Sequence, residues 1–202
     1  MTMDVEAAPQ RRSRARDVVT VVAILATAAL AFVLVRSFAS GSGTTPEQLR
    51  AAVVTQLTTS LEQATPADHA NHGHGDVYGS TKVLCAVEVL GFEPADAKDA
   101  RDLRKVYANH QCAVSDNGRP FDYAVKTSGP LVATWGQPPV VTVVLQQGAD
   151  YPDRVRAAIP AEYQEKALAA TINPDALADL RTRFDRSVAE FWAAFKASNP
   201  PR

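Results

Sequence analysis

Three of the four histidines in this 202-residue chain stand within six residues of one another, in Asp68-His69-Ala70-Asn71-His72-Gly73-His74-Gly75-Asp76. Imidazoles at this density, flanked by carboxylates, are a ligand set for zinc, copper or nickel, and the glycines let a loop fold around an ion. His69, His72 and His74 are therefore the candidate metal ligands, with Zn or Cu as the ion. The competing reading is a compositionally biased polar loop with incidental affinity, since a flexible segment must lose conformational entropy to bind. The fourth histidine, His110, alternates with Val106 and Val114 on a strand face, where a hydrogen-bonded structural role fits it better than that of a base.

Two cysteines, Cys85 and Cys112, complete the set of metal-ligating types. They form no C-x-x-C motif and are too few for a four-cysteine zinc site. In an oxidising compartment they would pair as a disulfide worth about 3–4 kcal/mol in the chain-entropy description. Nucleophilic and nucleotide-binding motifs are missing: there is no G-x-S-x-G, H-E-x-x-H, P-loop or G-x-G-x-x-G. Ser115-Asp116-Asn117 and Lys126-Thr127-Ser128-Gly129 echo two motifs of penicillin-binding proteins. The S-x-x-K nucleophile motif is lacking, and Asp116-Asn117-Gly118 is explained as a tight turn. An enzyme is thus not expected. One with a dispersed site is kept as an alternative, because sites are recognised by geometry. A net charge of −1 argues against a nucleic-acid partner.

The elements that must position these residues follow from periodicity. Pro46 opens a helix capped by Thr45, with Leu49, Val53, Leu57 and Leu61 on one face. Residues 64–80 read as a loop. Thr81–Leu90 is apolar on both faces except for Glu88 and reads as a central strand. Residues 94–104 read as a solvated helix and Lys105–Val114 as a second strand. Strands are also expected at Phe121–Val125, Leu131–Trp135 and Val140–Leu145. Tyr151–Ala170 reads as helix broken at Pro160. The fold class is therefore α+β: an antiparallel sheet of four or five strands with helices on one face, an order that a cystatin-like or NTF2-like arrangement accommodates.

The last helix, within residues 173–202, carries a stripe of Phe184, Phe191, Trp192 and Phe195. It either packs on its own domain or docks on a partner, an envelope protein or a second copy of the chain.

Val18–Val35 contains no charge, and Arg16 and Arg36 flank it. A helix of this length covers roughly 27 Å, close to the hydrocarbon thickness. Arg11, Arg12, Arg14 and Arg16 place the N-terminus in the cytoplasm. The expected organisation is a basic cytoplasmic segment (1–17), a transmembrane helix contacting the bilayer (18–36), a stalk (37–45), an extracytoplasmic α+β domain (46–172) and a C-terminal amphipathic helix with a polar tail (173–202). Ser37-Phe38-Ala39 has small residues suited to cleavage after Ala39, but the long apolar stretch favours an uncleaved signal anchor.

The runs GFEPADA (91–97), VYANHQC (106–112), SGPLVATWGQPP (128–139) and YPDRVRAAIPAEYQ (151–164) resemble a group of actinobacterial envelope proteins. The resemblance covers about 90 of the 202 residues. It implies an N-terminal membrane anchor and a small outer domain, and it transfers no activity, ligand or site residue. The expected function is a membrane-anchored, extracytoplasmic interaction or accessory module, with metal binding at His69, His72 and His74 as the alternative.

Overall fold

Thr45 starts the first helix by the reciprocal capping that its spacing to Gln48 allows. Its hydroxyl accepts the Gln48 N–H at 3.2 Å, and the Gln48 side chain accepts the Thr45 N–H at 2.9 Å. The computed structural model describes residues 44–75, 77 and 81–200. The expected membrane span at 18–36, and all of the expected stalk before Thr44, lie outside the described residues. Among the described residues no helix is long and apolar enough to cross a membrane.

Helix α1 (Pro46–Glu62) buries Leu49, Val53, Leu57 and Leu61. Each contributes roughly 1.5–3 kcal/mol relative to exposure. A short helix α2 (Pro66–Asn71) follows, capped by Thr65. The expected loop at 64–80 therefore begins as a helix, because Thr65-Pro66 is itself a start signal.

Four strands follow: β1 (Lys82–Glu93), β2 (Lys105–Ser115), β3 (Val125–Thr134) and β4 (Val140–Val143). They form one antiparallel meander in the order β1-β2-β3-β4. Residues 94–104 hold only a 3-10 turn at Ala100–Asp102, not the expected helix. The segment is too charged and too short of apolar spacing to bury a face. Phe121–Tyr123 is also a 3-10 turn. The strand expected at Phe121–Val125 is thus this turn up to Tyr123, and Val125 instead begins β3, which runs through Gly129-Pro130 into the strand expected at Leu131–Trp135.

Helices cover both sheet faces rather than one. The α1 face packs Val83, Cys85, Val87 and Val89 of β1 with Val106, Ala108, Cys112 and Val114 of β2 and Leu131 and Ala133 of β3. On the other face, α3 (Tyr151–Ala158) and α4 (Gln164–Ala169) enclose Tyr107 and Val132, and α5 (Pro174–Ser198) covers Leu84 and Ala86. Two covered faces explain why β1 is apolar throughout, although it is an edge strand and not a central one. Its outer edge is closed by side chains. The Glu62 carboxylate accepts the Cys85 N–H at 2.8 Å, Arg183 donates to the Cys85 carbonyl, and Arg50 donates to the Val89 carbonyl.

The first half of α5 belongs to this domain. Leu180 and Phe184 are fully buried, and Phe184 packs edge-on against Phe121. Phe184 is thus a core residue and not part of a free docking stripe. Its distal neighbours differ: Trp192 is 44% exposed and Phe195 50%.

Candidate metal centre

The site is built on β2. Alternation along the strand puts His110 and Cys112 on the α1 face with Val106, Ala108 and Val114. Register sets Cys112 opposite Cys85 on β1 and Thr127 on β3, and His110 opposite Val87 and Gly129. Cys85 and Cys112 form the expected disulfide, with Cα atoms 4.1 Å apart.

The histidine segment closes over this surface. His69 lies in the last turn of α2. The His72 N–H donates to the Asp68 carbonyl at 2.8 Å, and the His74 N–H to the His69 carbonyl at 2.9 Å, so the chain turns back on itself. Gly73 permits this at φ +80°, where a side chain would also press on Leu145. The Thr127 hydroxyl donates to the Gly73 carbonyl at 3.0 Å and pins the turn to β3. His69, His72 and His74 consequently become buried, at 3%, 7% and 2% exposure, rather than lying in an open polar loop.

The other three histidines gather around His74: His69 at its Nδ1, His72 edge-on to its ring, and His110, which alone of the three is grouped with it at ligand distance. Three of the four share one pattern. His110 Nδ1 lies 2.8 Å from the Gly129 carbonyl, and His72 Nε2 lies 3.4 Å from the Val141 carbonyl. A carbonyl only accepts, so in each ring the bonded nitrogen carries the proton and the other is a bare lone pair. His74 Nδ1 faces His69 Nδ1 at 3.0 Å. When His74 donates there, its Nε2 is bare as well. These three second nitrogens, His72 Nδ1, His74 Nε2 and His110 Nε2, are buried without any hydrogen-bond partner. An orphaned buried polar atom costs about 1–3 kcal/mol. Ligating histidines have this arrangement, with the other ring N–H held by a protein acceptor that fixes tautomer and aim.

The environment disfavours a second ring proton on His69, His74 and His110. Burial, reinforced by the neighbouring imidazoles, lowers His74 to about 3. Burial lowers His110 to about 4, against an opposing contribution from the Gly129 carbonyl. His69 is lowered chiefly by burial, then by His72, with Asp68 opposing. Neutral imidazoles present their lone pairs at pH 7, as metal ligation requires.

Ligand atoms of His74, His110 and Cys112 lie within 4.8 Å of one another. Bonds of about 2.0–2.1 Å would bring two imidazole nitrogens to roughly 3.3 Å apart around a tetrahedral ion. Ring rotations can close that gap. His72 stands edge-on to His74 with ring centroids 5.8 Å apart. The carboxylates expected to assist are not in the set: Asp68 accepts from the hydroxyl of Thr65, the cap of α2, and Asp76 lies outside the described residues.

The hydrogen-bonded role expected of His110 is present, to the Gly129 carbonyl, and its place beside His74 and Cys112 is the part that a local pattern does not reveal. The available signal was a lone imidazole two residues from a cysteine on an apolar face, where both ring nitrogens need an explanation. The echo of the penicillin-binding motifs dissolves. Asn117 and Gly118 take positive φ in a turn, and Thr127 is spent on Gly73.

No protein family, no curated protein and no solved structure matches the chain.

Proposed function

We propose that this chain is a membrane-anchored, extracytoplasmic binding protein for a late first-row transition metal, Zn(II) or Cu(II). His72, His74 and His110 would be the ligands, and His69 the outer hydrogen-bond partner of His74. One observation carries the reading. Three buried imidazoles each have one nitrogen within hydrogen-bond reach of a partner and the other without any partner. An all-imidazole set suits zinc, copper and nickel and disfavours magnesium or calcium. The anchor and the outer location rest on the uncharged stretch 18–35, its arginine-rich N-terminal flank and the resemblance to envelope proteins. The disulfide fits such a compartment. The test is metal analysis and Zn(II) titration of the detergent-solubilised full-length chain beside its His74→Ala/His110→Ala variant. One ion per chain, lost in the variant, supports the reading; equal affinity of the two proteins removes it.

A second reading, an interaction module, is favoured by the distal aromatics of α5. Trp192 donates its indole N–H to the Gly118 carbonyl at 3.1 Å and stacks edge-on with Phe195, yet both keep large exposed surfaces. Cross-linking in native membranes compares the intact chain with its Phe195→Ser variant. A partner retained equally by both would count against this surface.

A further inference from the structure

The disulfide is part of the site's wall. Cys112 Sγ lies within 4.8 Å of ligand nitrogens of both His74 and His110, and all three residues are buried. Cys85 stands directly across the ladder, so its sulfur is the next donor atom on the same face. Two cysteines and two histidines are a recurrent tetrahedral set for zinc. While the bridge is closed, the sulfurs are poor ligands, because the thiolate is the metal-binding form.

We infer that the Cys85–Cys112 pair gates the metal site: the dithiol form supplies Cys112, with Cys85 beside it, as thiolate ligands to the ion held by His74 and His110, and closing the disulfide withdraws them. This rests on the proposed metal reading for its two imidazoles, and adds sulfur donors and a switch.

The scaffold keeps those donors in place when the bridge opens. β1 and β2 are paired from Lys82–Ser115 to Glu93–Lys105. The Cys85 backbone is clamped on its outer side by Glu62 and Arg183, which do not depend on the sulfur. Reduction therefore releases two side chains and leaves the ladder intact. Zn–S bonds of about 2.3 Å and Zn–N bonds of about 2.0–2.1 Å then need only side-chain rotations.

The step balances as thiol–disulfide exchange. A dithiol reductant attacks the bridge, its two sulfurs become a disulfide, and two electrons with two protons pass to Cys85 and Cys112. Metal binding releases the thiol protons to solvent. In reverse, a disulfide oxidant takes two electrons from the thiolates, the S–S bond re-forms, and the ion is left on imidazoles alone. The product is a domain that holds a thiophilic ion tightly before its bridge closes and more weakly afterwards.

The experiment uses the metal-free full-length chain in detergent, oxidised or reduced with a phosphine, titrated with Zn(II) against a chromophoric chelator. Co(II) serves as a spectroscopic probe of sulfur ligation. Cys85→Ala supplies a second route, freeing Cys112 without reductant. The expected result is Zn(II) affinity raised roughly 100-fold or more on reduction, with sulfur-to-cobalt charge-transfer absorption in the reduced chain and in Cys85→Ala. The Cys85→Ala/Cys112→Ser double variant should lack both. Equal affinity in the two redox forms, or Co(II) spectra without a sulfur band, overturns the inference and leaves the imidazole reading standing. Binding by the reduced chain alone supports the inference and overturns the all-imidazole site. Binding by neither form overturns both. If reduction or Cys85→Ala unfolds the domain by circular dichroism, refolding on Zn(II) addition supports the inference, and failure to refold overturns it.

Discussion

His69 and His74 face each other Nδ1 to Nδ1 at 3.0 Å, so one proton serves two buried rings. That shared proton is what decides the chemistry of the turn. When His74 is the donor, its Nε2 is left as a bare lone pair beside His110 and the disulfide; when His69 is the donor, His74 Nε2 carries the proton instead. A fully solvated His-x-x-His-x-His loop would have no such constraint.

Ligand and outer partner should separate by mutation. His110→Ala removes a donor atom and should abolish stoichiometric Zn(II) binding by the oxidised chain. His69→Ala removes only the hydrogen bond that aims His74 and should weaken binding by about 10–100-fold. Competition titration against a chelator reads both. Equal losses would mean that His69 is itself a ligand.

Acid should weaken the metal-free fold. His74 and His110 titrate near 6.5 when unfolded and at about 3 and about 4 when folded. Between those values the unfolded chain binds more protons, so stability is fully present above about pH 6.5 and falls as pH drops towards 4. In chelator, the melting temperature at pH 4.5 should lie about 5 °C or more below that at pH 7. The double variant His74→Ala/His110→Ala should lose most of this dependence. An unchanged slope in the variant would place the acid sensitivity elsewhere.

Gly91 is required by packing. A Cβ there would stand 2.1 Å from the Tyr163 ring, where β1 changes register against β2. Gly91→Ala should destabilise by about 2 kcal/mol or more, as overpacking does. Adding Tyr163→Ala should recover part of that loss. Urea unfolding measures both, and a Gly91→Ala chain as stable as wild type would show that the ring moves aside freely.

The α5 aromatics should divide along the helix. Phe184→Ala empties a fully buried position against Phe121 and should cost about 3–5 kcal/mol. Phe195→Ala, at a half-exposed position, should change stability by no more than about 0.5 kcal/mol. Thermal melts of the two variants check the contrast. A large loss at Phe195 would make the distal half of the helix part of the fold.

The sequence carried the α+β class, the α1 stripe, the two long strands, the disulfide and the last helix, because each rests on local periodicity or on cysteine count. Edge position was not legible. β1 reads like a central strand since both its faces are covered, and the groups that close its edge come from Arg50, Glu62 and Arg183, far away in the chain. The turn at 94–104 was mistaken because helix-forming composition was counted without a face to bury. Of the site, the three clustered histidines were visible as a cluster, but their burial was not. That depends on Thr127 and Val141, which belong to strands whose pairing no local pattern reveals. The hydrogen-bonded place of His110 on a strand face was legible, whereas its nearness to His74 was not, because the turn of His74 lies more than thirty residues earlier.

The clamp on β1 also sets an order of assembly. Glu62 reaches Arg183 at 2.6 Å across a sequence separation of 121 residues, and between them they close the backbone of Cys85. As the chain emerges N-terminus first, Glu62 and Arg50 of α1 are already present to close the Cys85 N–H and the Val89 carbonyl, but the Cys85 carbonyl stays open and Glu62 lacks its arginine until Arg183 is free. The half-made domain therefore keeps one open carbonyl on that rim, a point where nascent chains held close together could pair before Arg183 arrives.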